Sequence, residues 1–494
     1  MARSRTFKAF ILASGQFLTT CTGIVALAIL SRMFSKAEYA TYRQTLLAYK
    51  AVAPILILAM PQALYFFLPG ETRRPRGVLL ENLLLLGSMG AIFGLFIVCG
   101  GGDLLARRFH NPSLRETMPA LAPYALFMLP MASLIPCLMS RDRVREITIY
   151  NVSSRVVALA IVLAAVFIWR TPLAAVLGTV IGAGILLIPA LGLMLWSVGD
   201  GGGYPTLQGV ARQVKYSVPL GLAGIIAMLG LALDKVVVSA MCAPEEFAIY
   251  SNGAVEVPVV GVVTGAVTSV IFPEIVALRK SGRAQEALDL WRRAAQKTSL
   301  IIVPTMCGLM FVAGDLMTAV FSGKYAASAL AFRLYLLLLP LRIVTWGVPI
   351  MAAHRGGLIL IKVIVGFSLN VALSIVLVWR MGYLGAILGT LLSIYLWNIP
   401  FNLAVIGKLY NTRLRRILPY GHLLKVLGLS VAGCAVFIPG AFIERQSELH
   451  SAIFLAITGP LYVVVVVALF VWTKLVDGKS ILRVLRRTGR GSVR

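Results

Sequence analysis

Fourteen apolar runs order this chain, at roughly residues 9–31, 41–67, 78–99, 118–139, 148–169, 173–197, 216–240, 247–272, 298–321, 327–350, 358–379, 384–407, 421–443 and 451–474. About 20 consecutive apolar residues span the hydrocarbon of a bilayer as a helix. Hydrocarbon holds no water to satisfy backbone amides, so a spanning segment pairs its own, as a helix does. The pattern therefore predicts an all-α polytopic membrane protein of about 14 transmembrane helices. The first run is long for a signal peptide and no small-residue cleavage site follows it, so it reads as a spanning helix.

Composition agrees with this reading: 59% of the 494 residues are hydrophobic, 13% are charged, and mean hydropathy is +0.88. The net charge of +27 acquires its meaning from placement. Lys and Arg crowd alternate connections, among them Arg73, Arg74 and Arg76, then Arg141, Arg143 and Arg145, then residues 279–297. Cytoplasmic loops carry such an excess, so the alternation predicts both termini in the cytoplasm and an even number of spans. It reports orientation and gives no reason to invoke nucleic acid. The six cysteines form no CxxC pair and the four histidines are scattered, so no metal or other cofactor is expected. The absence of a Walker A pattern, of GxSxG and of a large outer loop argues against an enzyme.

Two stretches recur. Ser31-Arg-Met-Phe-Ser-Lys-Ala-Glu-Tyr-Ala-Thr-Tyr42 returns as Ser239-Ala-Met-Cys-Ala-Pro-Glu-Glu-Phe-Ala-Ile-Tyr250, and Trp169-Arg170 with Leu177-Gly178-Thr179 returns as Trp379-Arg380 with Leu388-Gly389-Thr390. The two matches share almost one offset, so the first six runs and the next six read as duplicated halves. Six helices per half make the repeats parallel, which predicts two pseudo-symmetric six-helix lobes with a substrate site between them. The expected organisation is residues 1–203 as the N-lobe, 204–410 as the C-lobe, and 411–494 as two further helices with a basic tail. Gly201-Gly202-Gly203 reads as a flexible linker. Residues 279–295 read as an amphipathic helix on the cytoplasmic surface, anchoring or linking neighbouring spans.

Charge inside a spanning helix is costly and tends to face a cavity or a partner. The second run carries Arg43 and Lys50, seven residues apart and so on one face, with Tyr42 and Tyr49 beside them. Arg155, Arg333 and Arg342 complete the set of expected substrate-binding cations. Glu256 and Asp234 are the acidic residues placed to bind a coupling proton or sodium ion, although an ordinary salt bridge explains each as well. Glu256 is at the repeat position near Lys50 and is a candidate partner for it.

The segments Leu30–Tyr42, Tyr216-Ser-Val-Pro-Leu220, Leu233-Asp-Lys235 and Glu246-Phe-Ala-Ile-Tyr250 resemble the polysaccharide exporter family, which includes the Wzx-type flippases of lipid-linked oligosaccharides. That family lies in the multidrug/oligosaccharidyl-lipid/polysaccharide (MOP) flippase superfamily, with the multidrug and toxin extruders (MATE) and the lipid II flippases. The resemblance implies a MATE/MOP-like fold around a cationic cavity. It implies alternating-access transfer of an undecaprenyl-diphosphate-linked glycan across the bacterial inner membrane, for O-antigen, capsule or exopolysaccharide synthesis. Lys50 and Arg342 would hold the diphosphate while Tyr42 and Tyr49 stack on sugars. Membrane lipids and the polysaccharide polymerase machinery are the implied partners. A cation-coupled exporter of small molecules would share the fold, and a membrane-embedded glycan polymerase or ligase would share the substrate.

Overall fold

A computed structural model describes residues 21–476 except 70, 200, 354 and 442–447. The start of the first apolar run and the basic C-terminal tail lie outside the described residues. Contacts divide the chain into two units, Met1–Ser251 with Gly357–Ile399, and Asn252–Gly356 with Pro400–Arg494.

In chain order, α1 is Lys36–Ile57, α2 Met60–Phe67, α3 Pro75–Phe96, α4 Tyr124–Met131, α5 Val144–Trp169, α6 Pro172–Val198, α7 Leu207–Met241 and α8 Pro244–Gly253. Then follow α9 Pro258–Lys280, α10 Ala284–Phe311, α11 Ser328–Leu336, α12 Gly356–Met381, α13 Leu384–Ser393, α14 Tyr420–Gly433 and α15 Glu448–Trp472. The chain is an all-helical, multi-pass membrane protein. Among the described residues 11 helical stretches are long and apolar enough to cross a membrane, or 12 if the pair Leu114–Leu121 and Tyr124–Ser140, bent by 46°, is one span. The expected number of about fourteen needs two more. One would be the first run, described only over Cys21–Met33, and the other the seventh, which forms the 35-residue helix α7. The eighth run is not one helix, because backbone over 254–257 separates α8 from α9. Pro258 explains the break, since the residue before a proline is driven out of the helical region.

In the first unit the sequence repeat has a local physical cause. Glu38 accepts from the amide of Ser35 at 2.8 Å, closing the cap at the start of α1, and Ser35 Oγ accepts from Glu38 N. At the duplicated position, Glu246 accepts from the amide of Ala243 at 3.1 Å, so α8 keeps the carboxylate half of the capping box without the hydroxyl half. Tyr39 and its counterpart Phe247 are both buried, as are Ala40 and Ala248. The copies also touch: Gln44 donates to Ser239 Oγ at 3.0 Å and Arg43 to the Ser251 carbonyl at 3.3 Å.

The second match marks two helical hairpins, α5–α6 and α12–α13. A Cβ on Gly178 would lie 3.0 Å from Val162 Cα, and one on Gly389 would lie 2.7 Å from the Ser374 amide nitrogen. Glycine is there because the backbones cross too closely for a side chain. Trp169 and Trp379, at the corresponding turns, are 64% and 74% exposed, as aromatic anchors at a membrane surface are.

The glycine-rich stretch behaves otherwise than a free linker. Arg74 donates to the Tyr204 carbonyl at 2.8 Å, Thr206 caps α7, and buried Glu81 on α3 accepts from Thr206 N, Thr206 Oγ1, Arg74 and Gln213. Residues 203–213 are pinned to α3. The charge pattern alone could not reveal this, because Glu81 and Gln213 are 132 residues apart.

In the second unit, residues 284–295 are the first turns of α10 rather than a separate surface helix. Ala287, Leu288, Trp291 and Ala295 are buried in protein, with Trp291 donating to the Thr345 carbonyl. Arg292 binds the carbonyls of Arg416 and Ile417, and Arg279 lies over the Tyr410 ring. On the apolar face Trp291 meets Thr345 and Trp346, while the polar side chains Arg279, Gln285 and Arg292 hold residues 410–417, so linkage is what this segment provides. Tyr462 of α15 donates to the Pro304 carbonyl of α10, tying the last helix to the same support.

Candidate functional site: a basic cluster in the first unit

α1 positions the site. Its cap fixes the start, and its end is a sharp break at Leu58 and Ala59, both left-handed at φ 43° and 56°. Non-glycine residues rarely adopt this conformation, and two in succession cost energy that packing must supply. Gly221 of α7 permits it, since a Cβ there would stand 2.6 Å from the Leu58 carbonyl carbon. Above the break α1 carries the charges; below it α2 carries aromatic rings.

The seven-residue spacing does not give Arg43 and Lys50 equal environments. Arg43 is half-buried and donates to Tyr39 Oη at 2.9 Å and to the Ser251 carbonyl, so its guanidinium is held. Lys50 is exposed, and among the described residues its ammonium has no hydrogen-bond or ion-pair partner. Arg43, Lys235 of α7 and Arg155 of α5 are the cations whose fields reach it. Arg155 is itself exposed, and its field extends to Tyr124 and Tyr150. Three helices distant in sequence thus bring four positive charges together.

The two expected sugar-stacking residues are packed away. Tyr42 is 6% exposed and its hydroxyl lies 3.4 Å from Thr179 Oγ1; Tyr49 is 8% exposed and meets Tyr124 and Phe93 edge to face, with centroids 4.9 and 5.9 Å away. These rings pack inside the first unit rather than lying open. Asp234 is buried and fully engaged: Tyr250 donates to it at 2.6 Å and the Lys235 amide at 2.8 Å.

The second unit holds the remaining predicted residues. Arg342 meets Glu256 at 3.3 Å, both more than half exposed, beside Tyr335, Val260 and Thr264. Arg333 is on α11 and donates to the Met310 carbonyl at 3.1 Å. The helix ends at Leu336 and Arg342 falls in the following 3-10 turn Leu339–Ile343, so the two arginines belong to different elements, as Pro340 foreshadowed. Lys235 and Tyr124 were missed in sequence. Lys235 adjoins Asp234 and was legible as an intramembrane charge; nothing local marked Tyr124. Among the described residues no group of three His, Cys, Asp or Glu side chains converges as a metal site would require.

The fold is shared with known transporters. The lipid II flippase MurJ in an inward closed conformation matches 92% of this chain and 98% of its own, with TM-score 0.66 and 14% identity. An inward-facing multidrug resistance MATE family transporter of the MOP superfamily matches 83% and 97%, with TM-score 0.58 and 14% identity. A MOP superfamily transporter from Pyrococcus furiosus, described as having a binding pocket of reverse polarity, matches 82% and 96%, with TM-score 0.56 and 13% identity. No curated protein matches the sequence significantly. The sequence profile of a family described as polysaccharide biosynthesis protein matches residues 84–330, half of the chain. Those residues run from α3 through α7, with Arg155 and Lys235, to the start of α11, and on that match this chain belongs to the polysaccharide biosynthesis protein family, a membrane protein with the flippase and transporter fold.

Proposed function

We propose that the protein translocates an undecaprenyl-diphosphate-linked oligosaccharide from the inner to the outer face of a bacterial cytoplasmic membrane, for surface polysaccharide synthesis. The observation that carries this reading is Lys50: a lysine in the membrane-spanning part of α1, exposed, unpaired, and in the fields of Arg43, Arg155 and Lys235. Among the described residues none of these four cations is in an ion pair, the neighbouring Asp234 being engaged by Tyr250 and its own helix, and such an arrangement is unfavourable unless an anion completes it. A diphosphate carries the charge and the acceptor oxygens to do so, and each charge-assisted hydrogen bond replaces hydration lost on leaving water.

Within this reading Lys50 and Arg155 make first contact with the diphosphate, because Arg43 is already spent on Tyr39 and Ser251 and Arg342 is neutralised by Glu256. The duplicated halves, residues 1–203 and 204–410, act as lobes in alternating access, and residues 411–494 support them. The Lys and Arg bias favours cytoplasmic termini. A cation-coupled drug exporter is disfavoured by the sign of the cluster and by the commitment of Asp234 to Tyr250 and to its own helix. Polymerases and ligases that consume the exported glycan are the partners this reading anticipates.

The test is transfer of a fluorescent lipid-diphosphate sugar across proteoliposomes. The double variant Lys50→Ala/Arg155→Ala, folded and inserted at the normal level, should transfer none, and Lys50→Arg should retain part. Wild-type rates in the double variant would remove the basis of the proposal.

A further inference from the structure

The rings expected to meet sugar, Tyr42 and Tyr49, are buried, yet the first unit does display aromatic surface elsewhere. Below the break in α1, Phe66 of α2 stacks on Tyr216 of α7 with centroids 4.9 Å apart and planes 20° from parallel. Phe67 closes the edge of the pair, 5.0 Å from Phe66 and 5.5 Å from Tyr216. Phe66 is 63% exposed and Tyr65 46%, while Leu64 of the same short helix and Leu68 just after it are fully buried in one cluster with Leu79, Leu134 and Met194.

The two helices present matched faces. On α2 the exposed side is Gln62, Tyr65 and Phe66; on α7 it is Arg212, Lys215 and Tyr216, in each case positions i, i+3 and i+4, which share one face of a helix. On the far side of α7, Gln213 and Ser217 are buried. The Phe66–Tyr216 stack joins these faces into one surface of flat rings edged by side-chain donors. Among the described residues the side chains of Gln62, Arg212 and Lys215 have no hydrogen-bond or ion-pair partner.

We propose that this surface is a saccharide-binding ledge, where the outer sugars of a lipid-linked oligosaccharide rest while its diphosphate engages the cations of α1, α5 and α7; Lys235 lies about 28 Å along α7 from Tyr216, so only a glycan of several sugars reaches both. This rests on the diphosphate reading above and adds the sugar subsite to it. The axial C–H groups of a pyranose ring carry partial positive charge and pack on the negative face of an aromatic ring. Its equatorial hydroxyls project sideways, toward donors such as Gln62, Arg212 and Lys215. Apolar rings with a few convergent polar groups are the usual composition of a small-molecule site. The competing occupant is the lipid headgroup region, where exposed aromatic residues also gather. Burial of an apolar side chain in lipid needs no flat ring; stacking on a sugar does.

The experiment measures binding of undecaprenyl diphosphate and of undecaprenyl diphosphate bearing a linear hexasaccharide to the full chain in nanodiscs. Wild type should bind the glycosylated lipid about tenfold more tightly, the size of one aromatic contact. Phe66→Leu and Tyr216→Leu should lose that difference while binding undecaprenyl diphosphate normally, and Phe66→Trp should keep it. Normal binding of undecaprenyl diphosphate also certifies that each variant is folded. Equal affinity of wild type for the two lipids, or a full preference in Phe66→Leu, overturns the ledge and leaves the diphosphate site standing. Failure of wild type to bind either lipid overturns both.

Discussion

Arg342 Nη2 lies 3.3 Å from Glu256 Oε1, and the arginine that sequence reasoning assigned to the diphosphate is thereby already paired with the acid assigned to a coupling ion. The pair joins the residues just before α9 to the turn after α11, within the second unit. Its side chains are 55% and 67% exposed, and exposed pairs contribute about 0–1 kcal/mol. Glu256→Gln should therefore leave the midpoint of thermal unfolding in detergent nearly unchanged. Glu256→Gln should also transport in proteoliposomes with the same dependence on an imposed proton or sodium gradient as wild type.

Glu81 is the opposite case. It is buried and accepts four hydrogen bonds, from Arg74, Thr206 N, Thr206 Oγ1 and Gln213. Glu81→Ala leaves the Thr206 amide and hydroxyl without their acceptor, while Gln213 keeps the Val78 carbonyl and Arg74 reaches solvent, and should destabilise the protein by about 1–3 kcal/mol. Unfolding in a denaturing detergent series would measure it. The same variant should release residues 203–206 to proteolysis, since the clamp holding them to α3 is gone.

Gly209 offers a sharper probe of that clamp. A Cβ at this position would fall 2.0 Å from Glu81 Oε1. Gly209→Ala removes no hydrogen-bonding group and improves helix propensity by about 1 kcal/mol, yet it should destabilise because the carboxylate must move. A stabilised Gly209→Ala protein would refute the placement of Glu81.

Tyr49 separates packing from sugar recognition. Its ring is 8% exposed and packed edge to face on Tyr124 and Phe93. Tyr49→Phe should preserve both stability and transport, and Tyr49→Ala should cost about 3–5 kcal/mol as a core truncation does. Lys50→Ala should show the reverse signature, with a stability change within about 0.5 kcal/mol and loss of transport. Thermal unfolding and proteoliposome transfer, measured side by side, distinguish the two.

The apolar runs determined by themselves that this chain is helical and crosses a membrane many times, because backbone groups in hydrocarbon leave no alternative. The repeats were legible for a similarly local reason: Glu38 and Glu246 cap the helix three residues before them, and Gly178 and Gly389 sit where helices cross. Burial was different. Tyr42 and Tyr49 look like Phe66 and Tyr216 in sequence, and only packing against Thr179, Tyr124 and Phe93 hides the first pair while the second stands open. Likewise Lys50 gains Arg155 and Lys235 as neighbours, and Arg342 gains Glu256, through contacts between residues scores of positions apart. Local sequence fixes what a helix is and where it starts; which of its charges remain unpaired depends on the side chains brought beside it in three dimensions.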